Sequence, residues 1–232
     1  MVLAVVDART ALGVWEAGER EHPIDRALTI LGALTGSSRA SLAALPLSRR
    51  DALLLRARVA AFGPVIEAVA TCARCGCESD VTLRLSGGDV EPETDRGTIA
   101  VGATTVAYRV PDSFDAAAAA AHHDAADALH ALRTRCITAD APLDDAAFAA
   151  AEREIERVSA PSSIVLDLTC PDCAATAGVA LDVGAFFWTE IAAYARRTLD
   201  DVDALAARYG WSEAEILALS PARRARYLEY AR

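Results

Sequence analysis

Apolar positions along the chain change their period several times, and each change marks an element. His22-Pro23-Ile24-Asp25 reads as a helix start, with Ile24, Leu28 and Leu31 following on one face. Ser48-Arg49-Arg50-Asp51 has the form of a capping box with aspartate in place of the usual glutamate. Leu53, Leu54, Ala57, Val59, Ala60 and Phe62 follow at mixed helical spacing, which predicts a helix buried on more than one side. Gly63-Pro64 interrupts it, and Val65, Ile66 and Val69 resume the pattern, so residues 1–70 are expected to form an N-terminal helical region.

The period then drops to two. Val81, Leu83 and Leu85 alternate with Thr82, Arg84 and Ser86, predicting a half-buried strand after a turn at Thr71–Gly76 and before a stop at Gly87-Gly88. Residues 88–162 read as an insertion. It holds a polar loop over Glu91–Gly97, a hairpin of Thr98–Val101 and Thr104–Val110 about Gly102-Ala103, and an alanine-rich helix over Phe114–Ile137. A second helix over Asp144–Val158 ends the insertion before a break at Ser159–Ser162. Beyond it, Ile164–Leu168 and Val179–Val183 read as strands around Cys170-Pro171-Asp172-Cys173, with Gly184 as the stop. A C-terminal helical region over 185–232 carries Phe187, Ile191, Tyr194, Val202, Leu205 and Tyr209 at helical spacing. Ser212-Glu213-Ala214-Glu215 is a full capping box, and Ser220-Pro221 starts a last helix.

The expected fold class is α+β, mainly helical. A chain of 232 residues, 53% hydrophobic and 24% charged, is long enough to bury a core without disulfides. Much of the apolar fraction is alanine, so helices with thin apolar stripes are expected. The net charge is −10, and every basic residue is arginine. An acidic surface repels phosphate backbones, which leaves a protein as the expected partner. The start of the chain has no signal-peptide pattern, and no apolar run approaches a membrane span. A cytoplasmic location follows as the expectation, where six cysteines are reduced thiols or metal ligands.

Four of those cysteines form two C-x-x-C pairs, Cys72/Cys75 and Cys170/Cys173. The pairs share their flanks: threonine precedes each first cysteine, and an apolar alternating run begins nine positions after it, at Val81 and at Val179. This looks like one knuckle hairpin used twice, and two knuckles supply four thiolates to one tetrahedral structural zinc. Residues 71–87 and 163–184 would be the two halves of a split zinc ribbon. Closing a loop of roughly 100 residues costs about 4 kcal/mol, against about 10–16 kcal/mol from a structural zinc site. Gly76 suits the tight turn after Cys75, whereas Ala174 after Cys173 lacks that freedom. Other readings of the pairs are packed thiols and a redox site, although redox C-x-x-C motifs open helices and these precede strands. Cys77 competes with Cys75 as a ligand or stands by, and Cys136 reads as a core residue.

A four-thiolate shell has no open position for catalysis. His22, His122, His123 and His130 lack metal-site spacing, His122 and His123 reading as exposed helix residues, and no phosphate-binding or nucleophile motif is present. The chain is therefore expected not to be an enzyme and to take no small-molecule substrate. The C-terminal segment either packs back on the long helix or presents its aromatics. Tyr209, Trp211, Leu217, Arg223, Arg224 and Tyr227 are the candidate partner-binding residues, since arginine and aromatics anchor interfaces. The alternative class is a zinc-ribbon regulator that binds nucleic acid or the transcription machinery through Arg223, Arg224 and Arg226.

Several segments, in this order, resemble a known family: Trp15–Leu31, Arg49-Arg50-Asp51-Ala52-Leu53-Leu54-Leu55-Arg56, Phe62-Gly63-Pro64 leading into C-x-x-C, and Tyr209–Leu217 with Ser220-Pro221. They are similar to small proteins of phage-tail-like contractile injection systems, related to the baseplate hub assembly proteins (chaperones) of T-even-type phages. The resemblance implies a non-enzymatic protein that helps build a baseplate or forms part of one, with hub or other tail-like particle proteins as partners. Cys72, Cys75, Cys170 and Cys173 match the family's zinc-knuckle pattern, while Ala174 departs from its usual glycine.

Overall fold

The computed structural model describes residues 3–85, 94–160 and 164–231. The expected stop at Gly87-Gly88, the start of the expected loop at Glu91 and the break at Pro161-Ser162 lie outside them. The fold is α+β and mainly helical, with three small antiparallel sheets among the described residues.

A helical bundle forms first. In α1 (Ala8–Gly18) the Asp7 carboxylate caps the Thr10 amide at 2.8 Å. The second helix, α2 (Pro23–Thr35), starts where its sequence predicts, with proline at the first position and His22 Nδ1 accepting from the Ile24 amide at 3.3 Å. After the short α3 (Arg39–Ala43) comes α4 (Leu47–Phe62), and the 27-residue α8 (Val183–Tyr209) packs against α1, α2 and α4. Leu28, Ile30, Leu31, Leu54, Phe187 and Ile191 fill the centre, and Phe62 meets Phe187 and Tyr194 edge-on. Arg26 ties the bundle ends: its Nε and Nη2 donate to the Gly18 and Glu19 carbonyls of α1, and its guanidinium lies 4.6 Å over Trp188.

Two expectations fail in this region. The capping box at Ser48–Asp51 does not form. The helix begins two residues earlier, after Pro46, and its first amide, Leu47 N, donates to the Pro111 carbonyl at 2.8 Å. Nor do Val65, Ile66 and Val69 continue a helix. They lie in strand β1 (Val65–Thr71), paired antiparallel with β2 (Glu78–Arg84). The β-branched residues favour an extended chain there, and Gly63, at φ 85°, turns the backbone out of α4.

Arg58 holds that junction. It is almost fully buried, and it donates to the Gly63 and Val65 carbonyls (2.8 Å each) and to both oxygens of Glu190 on α8 (2.6 and 2.8 Å).

The insertion has its own core. Strands β3 (Arg96–Val101) and β4 (Thr104–Arg109) form the expected hairpin about Gly102, and β5 (Ile137–Ala139) adds to the other side of β4. Helix α7 (Asp145–Ser159) lays Ala147, Ala151 and Val158 on Val106, Tyr108 and Ile137. The expected single helix over Phe114–Ile137 is two, α5 (Ser113–Ala120) and α6 (Ala125–Cys136), because Asp124 caps a new helix by accepting from the Ala126 amide at 2.8 Å. His122 and His123 therefore sit exposed in the break rather than in helix, and Ile137 belongs to a strand. Cys136 is buried, as expected.

Asp115 is fully buried at the base of the insertion. It accepts from both terminal nitrogens of Arg109, from Arg135 Nε at 2.7 Å and from the Asp112 amide at 3.0 Å.

Past the insertion, β6 (Val165–Thr169) pairs with β7 (Thr176–Ala180). The second strand sits earlier than the expected Val179–Val183. Val183 opens α8 and enters the bundle core, Asp182 caps the Ala185 amide, and Gly184 lies in the helix instead of ending the strand. The capping box at Ser212–Glu215 forms and starts α9 (Glu213–Ala218), followed by α10 (Pro221–Ala231). The segment packs back on α8 through α9 and α10, with Leu205 and Ile216 buried, while Tyr209, Trp211, Leu217 and Tyr227 keep part of their surface exposed.

Two predictions follow from the buried charges. Glu190→Ala leaves Arg58 without its counter-charge and should cost about 2–4 kcal/mol in urea unfolding, more than the Arg58→Met/Glu190→Met double variant. For Asp115, burial raises the carboxyl pKa, but the Arg109 hydrogen bond, the Asp112 amide and Arg135 outweigh it and hold it well below the usual carboxylate range. Its contribution is present above the unfolded value of 3.8 and is lost as the pH falls below that. Asp115→Asn should thus be less stable than the parent chain at neutral pH, with the gap closing in acid.

Candidate metal centre

Both knuckles are built by the same backbone. In the first, Cys72 N donates to the Cys77 carbonyl at 2.8 Å, and Gly76 N donates back to the Cys72 carbonyl at 2.8 Å. In the second, Cys170 N donates to Ala175 O at 2.9 Å and Ala174 N to Cys170 O at 3.0 Å. The turns leave β1 and β6 and return as β2 and β7, so each C-x-x-C caps a two-stranded hairpin. Gly76 takes φ 75°, and Ala174, despite its Cβ, takes φ 55°, the one positive φ at a non-glycine residue among those described. The freedom that Ala174 lacks is overridden, because the repeated hydrogen-bond pattern demands that conformation.

The hairpins bring the four sulfurs together. The Sγ atoms of Cys72, Cys75, Cys170 and Cys173 all lie within 4.8 Å of one another. Cys72 and Cys173 are 3.7 Å apart, and Cys75 and Cys170 are 3.6 Å apart. Four thiolates at about 2.3 Å around a tetrahedral zinc have edges of about 3.8 Å. The donor set and its spacing fit that ion, and the cross-hairpin edges are too long for disulfide bonds.

The electrostatics favour a cation. Amides of Cys173 and Asp172 hydrogen-bond the Cys170 sulfur and bring its pKa down to about 6, which makes it a thiolate at neutral pH. Cys75 moves the other way. The Cys77 amide lowers it, but the adjoining Cys170 and Cys173 sulfurs outweigh this and push it up to about 12. The Cys170 thiolate thus holds the proton on Cys75, and a divalent ion would displace it.

Cys77 is outside the cluster, with its sulfur against the Glu78 carbonyl and the Ser79 hydroxyl. None of the four histidines joins a metal-binding group among the described residues. At the C-terminus, Tyr209 stacks on Trp211 at 4.6 Å and Tyr227 meets Trp211 edge-on at 4.8 Å, all three half-buried beside a half-buried Leu217. Arg223 is exposed, but Arg224 is not the surface residue expected: it is buried and faces Asp201 at 3.5 Å. Arg226 pairs with Glu229, so the arginines of this segment do not form one free basic patch.

No helix among the described residues is long and apolar enough to cross a membrane. A family model described as T4 bacteriophage base plate protein matches residues 4–158, more than half of the chain. The match takes in the first knuckle and the insertion as far as residue 158, and stops short of the second knuckle. No curated protein and no solved structure matches the chain.

The turn geometry predicts opposite effects for one exchange. Ala174→Gly should stabilise the metal-loaded chain, and Gly76→Ala should destabilise it, each by about 1 kcal/mol in thermal or urea unfolding.

Proposed function

We propose that this chain, which belongs to the T4 bacteriophage base plate protein family, is a non-enzymatic, zinc-binding baseplate assembly protein of a phage-like contractile injection system. It acts as a hub assembly chaperone or as a baseplate component, in the cytoplasm or within the assembled particle. Its partners are hub or other tail-like particle proteins. The observation that carries the reading is the meeting of four thiols from two knuckles, inside a chain whose first two-thirds carries the family's pattern.

The zinc is structural. Cys72, Cys75, Cys170 and Cys173 close its shell and join two hairpins far apart in sequence. The helices around that joint supply the binding surface. Tyr209, Trp211, Leu217, Arg223 and Tyr227 offer aromatic and arginine groups on the last two helices to a partner. Arg224 works from beneath, anchoring α10 to α8 through Asp201. The acidic surface, with its small side chains, suits a partner that is bound and later released.

Purified protein should hold one zinc per chain by elemental analysis. Cys72→Ser and Cys170→Ser should each lose the metal and lower the melting temperature, as should a strong chelator on the parent chain. Baseplate hub proteins should co-purify with the tagged chain from cells making the whole particle. Full metal in either serine variant would remove the four-ligand site, and failure to associate with any tail component would remove the baseplate role.

A further inference from the structure

Strand β7 differs from every other strand in the described chain: all five of its residues, Thr176 to Ala180, are exposed. It carries no charge and no proline, the two usual guards of a free edge. The other three strands of the knuckle hairpins each carry a carboxylate: Glu67 in β1, Glu78 and Asp80 in β2, and Asp167 in β6.

The free edge has a definite hydrogen-bonding face. Leu181 N donates to Ile164 O, and Cys170 N donates to Ala175 O. With the register Val165↔Ala180 to Thr169↔Thr176, this assigns the N–H and C=O groups of Ala177 and Val179 to β6. The groups of Thr176, Gly178 and Ala180 point outward, away from β6.

Next to that edge is a cleft of about 390 Å³ between the two hairpins, above the sulfurs. Ala70, Val81, Leu168, Ala177 and Val179 line it with apolar side chains, and Ser79, Asp80 and Arg74 add polar groups. Its surroundings are acidic: Glu67, Glu78, Asp80, Asp167 and Asp172 are exposed on the hairpins against only Arg74 and Arg84.

We propose that the β7 edge and this cleft bind an extended segment of another baseplate polypeptide, which adds to the β6–β7 hairpin as a third strand. Backbone hydrogen bonds to Thr176, Gly178 and Ala180 hold it, and alternate side chains enter the cleft. The alanine, valine and leucine lining favours small or β-branched residues, and the acidic rim favours lysine or arginine on the flanks. This rests on the baseplate reading above and adds a second contact, distinct from the C-terminal aromatics.

The full chain with its native metal is probed with short overlapping peptides covering the other baseplate proteins of its particle. Bound peptides should alternate small or β-branched residues between basic flanks. Gly178→Pro removes an outward N–H that β6 does not use, so it should keep the metal and weaken binding about tenfold or more. Val179→Glu, inside the cleft, should do the same. N-methylation of alternate peptide amides should weaken binding to the unaltered chain equally, which keeps the test valid if a variant folds poorly. Three results would overturn the proposal: no peptide bound, binding indifferent to Gly178→Pro and to N-methylation, or a dimer of this chain that Gly178→Pro turns into a monomer. Hub proteins that co-purify undiminished with Gly178→Pro would remove the edge contact and leave the baseplate role standing.

Discussion

Four sulfurs within 4.8 Å of one another are the constraint on which the rest of the chain depends. Four thiolates crowded this closely repel one another, and a cation between them would relieve the repulsion. With a divalent ion, the same repulsion becomes a reason for the hairpins to stay together. The joint fixes where the chain leaves the first knuckle and where it re-enters after the insertion. It also places β7 directly before α8, the helix that completes the bundle. A metal held there would position a helix without touching it.

Arginine does the remaining long-range work. The chain has no lysine, and its guanidiniums act as internal clamps whose fixed fork suits several acceptors at once. Arg26 closes the end of α1, Arg58 joins α4, β1 and α8, and Arg109 and Arg135 converge on Asp115. Arg224 fastens α10.

Much of this was legible in the sequence because local chemistry and tertiary packing agreed. His22-Pro23, Ser212–Glu215 and Ser220-Pro221 mark helix starts, and the matched flanks of the two C-x-x-C pairs gave away the repeated hairpin. The misses have physical causes. Val65, Ile66 and Val69 fit a helical spacing and a strand equally, and only pairing with Glu78–Arg84 decides between them. Ser48 lost its cap role because a carbonyl from the insertion, Pro111, satisfies the helix start in its place. Asp124 lies in a run of alanine, aspartate and histidine that carries no other sign of a helix start. Leu181 and Val183 looked like strand alternation, yet they pack on the bundle. The inward turn of Arg224 depends on Asp201, which only the fold brings near.

The placement of α8 after the second knuckle also sets a timetable for synthesis. A ribosome adding about 5–20 residues per second takes several seconds to pass from the first knuckle to the end of that helix. During that interval Leu28, Leu31 and Leu54 await Phe187 and Ile191, while the insertion, whose contacts are mostly its own, can already be folded. The nascent chain is therefore greasy at its beginning and settled in its middle. A metal that needs all four cysteines could be captured only once the second knuckle has emerged, and would then act as a seal on the finished product.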